Sequence, residues 1–192
     1  MSLTPPYVSI HSAPAAPLAR VAGWDRAVSR RVAVDWPHPR WFTLPLAALS
    51  ITANYGIVWF VLAALPWALG TQRSPLRFAY VAGTVLGTQF VTFGIKAVVR
   101  RRRPPEREPG PAQVIPLPRS HSFPSSHASM GMAGLLTMGA LYSDWWAPLA
   151  VLVALLSFSR VYLRVHYLVD VLAGLVLGTV IGLVMTLAWV PR

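Results

Sequence analysis

Cysteine is absent from the 192 residues, which removes disulfides, thiolate metal sites and cysteine nucleophiles. Charge is scarce. Aspartate and glutamate number six against 17 lysines and arginines, and lysine occurs only at Lys96. Charged residues make up 12% of the chain and hydrophobic ones 55%, with a mean hydropathy of +0.51. That balance is too apolar for an ordinary soluble domain and points to an integral membrane protein. The formal charge of +11 does not imply nucleic acid, because the basic residues lie between apolar runs and no nucleic-acid module is recognisable. Membrane lipids with anionic head groups are the expected partners. An uninterrupted apolar stretch is also missing from residues 1 to 20, which carry Pro5, Pro6, Pro14 and Pro17 among small residues. They read as a flexible, uncleaved tail.

Along the rest of the chain the pattern is all-α: an integral membrane helical bundle of about five transmembrane helices plus an N-terminal amphipathic helix. Residues 21 to 36 mix apolar side chains with Asp25, Arg26, Arg30, Arg31 and Asp35, which suits a helix on the membrane surface with Trp24 and Trp36 at head-group level. Pro37 and Pro39 end it, and the apolar but short stretch 41 to 52 is expected to re-enter or lie shallowly. The spans expected are 54 to 70, 77 to 99, 125 to 142, 145 to 163 and 168 to 190. Residues 100 to 123 form a loop rich in proline and arginine. In the last span Gly174, Gly178 and Gly182 recur every four residues, a small-residue stripe for close helix packing. No repeat is evident, and 21 to 192 count as one domain.

Three polar clusters interrupt these runs. Lys96 closes the second span and Arg103-Pro104 begins the loop after it; Pro124-Ser125-Ser126-His127 opens the third span; Ser159-Arg160 closes the fourth, and His166 and Asp170 open the fifth. Spans alternate in direction, so all of these ends emerge on one side of the membrane. An ionisable residue at membrane depth marks function by default. His166 and Asp170 stand four apart, on one helical face within hydrogen-bonding reach. A carboxylate that holds an imidazole makes the ring a nucleophile or a base, and an arginine close by pairs with an oxyanion such as phosphate.

The order and spacing resemble the type 2 phosphatidic acid phosphatase family, in its membrane lipid phosphate phosphatase branch. That family's pattern is Lys-x6-Arg-Pro, then Pro-Ser-Gly-His, then Ser-Arg-x5-His-x3-Asp. This chain matches at every position except Ser126, where glycine is usual. The resemblance implies that Lys96, Arg103 and Arg160 hold the phosphoryl oxygens and neutralise charge in the transition state, with Ser125, Ser126 and the backbone N–H groups opening the third span as further donors. It implies that His166 attacks phosphorus, that Asp170 orients its ring, and that His127 protonates the leaving oxygen and then activates water. Neither metal nor other cofactor is implied. The expected substrate is a lipid phosphate, with polyprenyl diphosphate or a polyprenyl-phosphoryl sugar phosphate favoured over phosphatidic acid or phosphatidylglycerophosphate. A non-catalytic lipid-phosphate binding or transport protein is the reading of another class. Serine at 126 is expected to change substrate fit rather than remove activity.

Other basic residues fall outside the motifs. Arg100, Arg101 and Arg102 read as head-group contacts or orientation signals, and His121 as a solvated loop residue. His11 and His38 read as without function, and Arg164 reaches either the pocket or the lipid surface. Trp145, Trp146 and Trp189 read as interfacial anchors. With five spans, all the lysines and arginines except Arg73, Arg77 and Arg192 share the side of the clusters. The positive-inside bias then puts the site at the cytoplasmic face of a multi-pass cell membrane protein.

Overall fold

A computed structural model describes residues 16 to 72 and 74 to 191; residues 1 to 15 of the expected tail, with His11, and also Arg73 and Arg192, lie outside them. Every regular element among the described residues is helical: α1 (Ala16–Arg30, running on as a π-helical turn Arg31–Asp35), α2 (Arg40–Thr52), α3 (Ile57–Ala68), α4 (Pro75–Val99), a short α5 (Pro104–Arg107), α6 (Ser126–Leu141), α7 (Trp146–Tyr162) and α8 (Leu168–Ala188).

Three helical segments, those containing α4, α7 and α8, are long and apolar enough to cross a membrane. The α2–α3 pair, bent by 57°, is long and apolar enough only when its two helices are taken together, as a broken span or a re-entrant loop. The stretch 41 to 52 and the expected first span are therefore two arms of one broken element. The break has a local cause: Tyr55 and Gly56 both take positive φ, 55° and 81°, which no helix continues through. A side chain at position 56 would also press on Val85 of α4.

The expected third span has a different character. At 16 residues α6 rises only about 24 Å, short of a hydrocarbon core of about 30 Å. It sits at the centre of the bundle, packed on α8, α4 and α7, and eleven of its residues are buried, Ser129, Thr137 and three glycines among them. A central helix needs small residues for close approach more than it needs lipid-facing bulk. The glycine stripe supplies the matching surface on α8. A Cβ at Gly174 or Gly178 would strike the backbone carbonyl oxygens of Ser125 and Ser129, and one at Gly182 would strike Leu136. Below this layer Trp59, Val81, Val85, Met130 and Met138 fill the core.

The amphipathic helix differs from expectation in one respect. Asp25 and Ser29 of α1 are buried against the start of α8, so that face is docked on protein. Trp24 remains exposed on the other side.

Candidate active site

The ends of α4, α6, α7 and α8 that carry the three clusters meet around a cleft of about 630 Å³. Lys96, Arg103, Ser126, His127, Arg160 and His166 all line it. Asp170 lies behind His166, fully buried, and does not reach the cleft. Ser125 does not line it either. Its N–H donates to the Asp170 carbonyl at 2.9 Å, tying α6 to α8, and its hydroxyl is buried with no partner.

His166 stands in the turn between α7 and α8. Its N–H, like that of Val165, is held by the Arg160 carbonyl, which fixes the backbone beneath the ring. Arg103 Nη1 lies 3.2 Å from His166 Nε2. A guanidinium only donates, so Nε2 carries the lone pair and Nδ1 the proton. That proton faces Asp170 Oδ2 at 3.5 Å and the Ser122 hydroxyl at 3.4 Å. Asp170 Oδ2 also accepts from the Ser122 hydroxyl and, at 2.9 Å, from the Tyr167 N–H. Burial, reinforced by the charges of Arg103, Arg160 and Lys96, holds the His166 pKa well below the ordinary imidazole value. The ring is therefore neutral at neutral pH, and the residue lines the cleft with its Nε2 lone pair toward Arg103.

The cations are fixed by carbonyl and hydroxyl oxygens rather than by carboxylates. Lys96 Nζ donates to the His121 carbonyl at 2.7 Å. Arg103 donates to the carbonyls of Val165 and Ser120, at 2.6 and 2.9 Å, and burial lowers its pKa to about 10, which leaves it charged at neutral pH. Arg160 Nη1 donates to the Ser50 hydroxyl, and its Nε is buried without a partner. Three buried positive groups with no carboxylate bonded directly to them favour an anion. His127 Nε2 lies 3.1 Å from the Ser50 carbonyl. A carbonyl only accepts, so Nε2 is protonated and Nδ1 is the nitrogen left for proton exchange.

Several residues at the site had no sequence signal. Ser50, on the first arm of the broken element, touches both Arg160 and His127, and nothing in a Leu-Ser-Ile-Thr run indicates that. Ser122 sits two residues before Pro124, outside any motif, yet touches both His166 and Asp170. Arg101 is not a free surface charge. It bridges Asp25 and Asp170 at 2.6 Å each, its guanidinium 4.3 Å above the Tyr167 ring. Burial draws its pKa down, but the carboxylates of Asp170 and Asp25 more than offset this and raise it. Arg100 and Arg102 are exposed, as is the His121 side chain. Arg164 reaches neither the pocket nor lipid, since its guanidinium is spent on the carbonyls of Pro111 and Glu108. His38 stacks on Tyr162 and bonds its carbonyl at 3.2 Å, bracing α7 from outside the cleft.

Solved structures share this fold. The crystal structure of the first transmembrane PAP2-type phosphatidylglycerolphosphate phosphatase from Bacillus subtilis aligns with a TM-score of 0.71 and 19% identity, over 86% of this chain and 84% of that one. Aquifex aeolicus LpxE aligns with a TM-score of 0.71 and 18% identity, over 85% of this chain and 94% of that one. No curated protein sequence matches. The sequence itself matches the PAP2 superfamily over residues 77–192, a segment that contains all three clusters and the helix ends from which the cleft is built. With that match over more than half of its length, this chain belongs to the PAP2 superfamily.

Proposed function

We propose that this protein is a membrane-embedded, metal-independent lipid phosphate phosphatase that works through a phosphohistidine on His166. The observation that carries the reading is the cleft's pairing of three buried cations with one neutral histidine, whose Nε2 lone pair faces them. In the first step Nε2 attacks the terminal phosphorus, the N–P bond forms and the bond from that phosphorus to the leaving oxygen breaks, an alcohol oxygen in a phosphomonoester and the bridging phosphate oxygen in a diphosphate. Lys96, Arg103 and Arg160 take up the charge on the phosphoryl oxygens, with Ser126 and the N–H groups opening α6 beside them and the Ser125 hydroxyl behind. Asp170 stabilises the positive ring that results. His127, charged once the phosphate anion occupies the cleft beside it, gives its Nδ1 proton to the leaving oxygen. Neutral again, it takes a proton from water through the same nitrogen. The water oxygen displaces Nε2 from phosphorus, and inorganic phosphate departs.

The apolar wall of the cleft, with Ile51, Tyr55, Phe93, Ile115 and Met130, suits a substrate whose phosphate is joined to a hydrocarbon chain. Polyprenyl diphosphate and polyprenyl-phosphoryl sugar phosphate are the favoured substrates, and phosphatidic acid and phosphatidylglycerophosphate the alternatives. Phosphate release from a panel of these lipids in detergent, by wild type and by His166→Ala, is the test. The reading requires turnover by wild type, none by His166→Ala, and slow turnover with accumulated phosphoenzyme in His127→Ala. Loss of a positioned acid or base costs on the order of 10²–10⁴-fold. Full activity in His166→Ala would sink the assignment, and tight lipid binding without turnover in wild type would favour a binding protein.

The arginines around the cleft support an orientation toward the cytoplasmic face of a multi-pass cell membrane protein. Because the chain lacks cysteine, Ala112→Cys introduces a single label site in the loop beside the cleft. Protection of that site from a membrane-impermeant thiol reagent in intact cells is expected, and ready labelling would reverse the orientation.

A further inference from the structure

Asp170 is fully buried, and its two oxygens have different surroundings. Oδ2 meets Ser122, the Tyr167 N–H and His166. Oδ1 is bonded by Arg101 Nη1 at 2.6 Å. The other arm of the same guanidinium, Nη2, bonds Asp25 Oδ2 at 2.6 Å, and the Tyr167 ring covers its face. Asp25 is itself buried on α1. Its Oδ1 accepts from the Val169 N–H at 2.9 Å, while the adjacent Ser29 hydroxyl accepts from the Leu168 N–H at 2.9 Å. So α1, which precedes the segment matched to the family, caps the first turn of α8 and reaches Asp170 through one arginine.

The charges decide what this chain of contacts does. An arginine bonded to Asp170 alone would cancel the negative charge that the phosphorylated, cationic His166 requires behind it. Asp25 shares that arginine. Asp25, Arg101 and Asp170 together carry a net charge of −1, so the arginine fixes the aspartate in place without silencing it. A buried carboxylate that loses its cation tends to take up a proton, and one that keeps an unshared cation is neutralised by it. Either change weakens support for His166.

Resting on the phosphohistidine reading above, we infer that Asp25 and Arg101 are positioning residues for the nucleophile: the N-terminal helix supplies the carboxylate that tunes Asp170 through Arg101. The contribution is expected in the chemical step and not in lipid binding, because neither Asp25 nor Arg101 lines the cleft.

The test uses the full-length protein in detergent and dioleoyl phosphatidic acid, or whichever lipid of the panel wild type turns over fastest. Asp25→Asn and Arg101→Gln should each lower kcat by on the order of 10–100-fold, by analogy with the loss when an outer partner that orients a metal ligand is removed, with KM within about twofold. The double variant should be no slower than the worse single one, because the two act as a unit. Arg101→Lys should recover part of the loss. Ser29→Ala removes a docking contact of the same helix without touching charge, and should stay within about threefold of wild type. Vanadate binding, followed by tryptophan fluorescence, gives the same comparison without turnover: weakened in Asp25→Asn and unchanged in Ser29→Ala. Wild-type kcat in Asp25→Asn, additive losses in the double variant, or an equal loss in Ser29→Ala accompanied by a lower melting temperature would each overturn the inference. An active His166→Ala variant would instead refute the phosphohistidine reading beneath it.

Discussion

Replacing Gly178 by alanine adds one carbon at the closest approach of α8 to α6, and its consequence should reach the active site. That carbon would run into the backbone carbonyl oxygen of Ser129 and lie 2.9 Å from Met132 Cβ. Carbon atoms pack at about 3.5–4.0 Å, and a backbone carbonyl has no rotamer by which to retreat. The helices must therefore part by roughly 0.6–1 Å. Overpacking of this kind costs about 1–3 kcal/mol, or a melting-temperature drop of roughly 2–12 °C for a chain of this size. Asp170 lies eight residues earlier on α8, about 12 Å up the helix, and its carbonyl is bonded to the Ser125 N–H at 2.9 Å. A catalytic constellation tolerates about 0.5 Å of displacement, and a 1 Å error costs on the order of 10²-fold. Gly178→Ala should thus lower both thermal stability and kcat, the latter by about 10–100-fold. Gly87→Ala on α4 has nothing within 4 Å of the new atom and should be neutral or slightly stabilising, since alanine favours helix by up to about 1 kcal/mol. Thermal melts in detergent and phosphate-release kinetics on the two variants make the comparison. Wild-type kcat and stability in Gly178→Ala would refute the claim that this contact sets the geometry of the site.

Because the folded state holds His166 unprotonated, the acid limb of kcat/KM that belongs to this residue should fall below the ordinary imidazole value of about 6.5; a limb at or above that value would mean that another group is the nucleophile. The same depression makes the unfolded chain bind the extra proton, so the stability due to His166 should be complete above about pH 6.5 and fall as pH drops below it, a decline that melting curves of His166→Gln should lack. Activity should persist in excess EDTA and be inhibited by vanadate, whereas strict dependence on Mg²⁺ would contradict the phosphate-holding role given to Lys96, Arg103 and Arg160. Ser126→Gly should change the order of preference among lipid phosphates while keeping kcat/KM within about tenfold, near 1.4 kcal/mol; complete inactivation would mean that the hydroxyl acts directly.

The sequence by itself determined what local spacing and polarity can determine. Apolar runs of helical length give a membrane bundle. A fixed interval between Lys96 and Arg103, or between Arg160, His166 and Asp170, places those side chains at helix ends whatever the helices then pack against. The alternation of spans brings those ends to one side, and the four-residue glycine stripe on α8 announces a close helix contact before its partner is known. The Arg-Pro motif singles out Arg103, but tertiary structure alone decided what the three arginines before it do. Arg100 to Arg102 look alike in sequence, yet Arg101 is held between Asp25 and Asp170, and Arg100 and Arg102 stay exposed. The partners that set Arg101 apart lie 69 and 76 residues away, and no periodicity encodes a contact at that range. Ser50 reaches Arg160 across 110 residues for the same reason. The short central α6 was also decided by packing, because hydropathy measures what a segment can bury and not whether lipid or neighbouring helices will bury it.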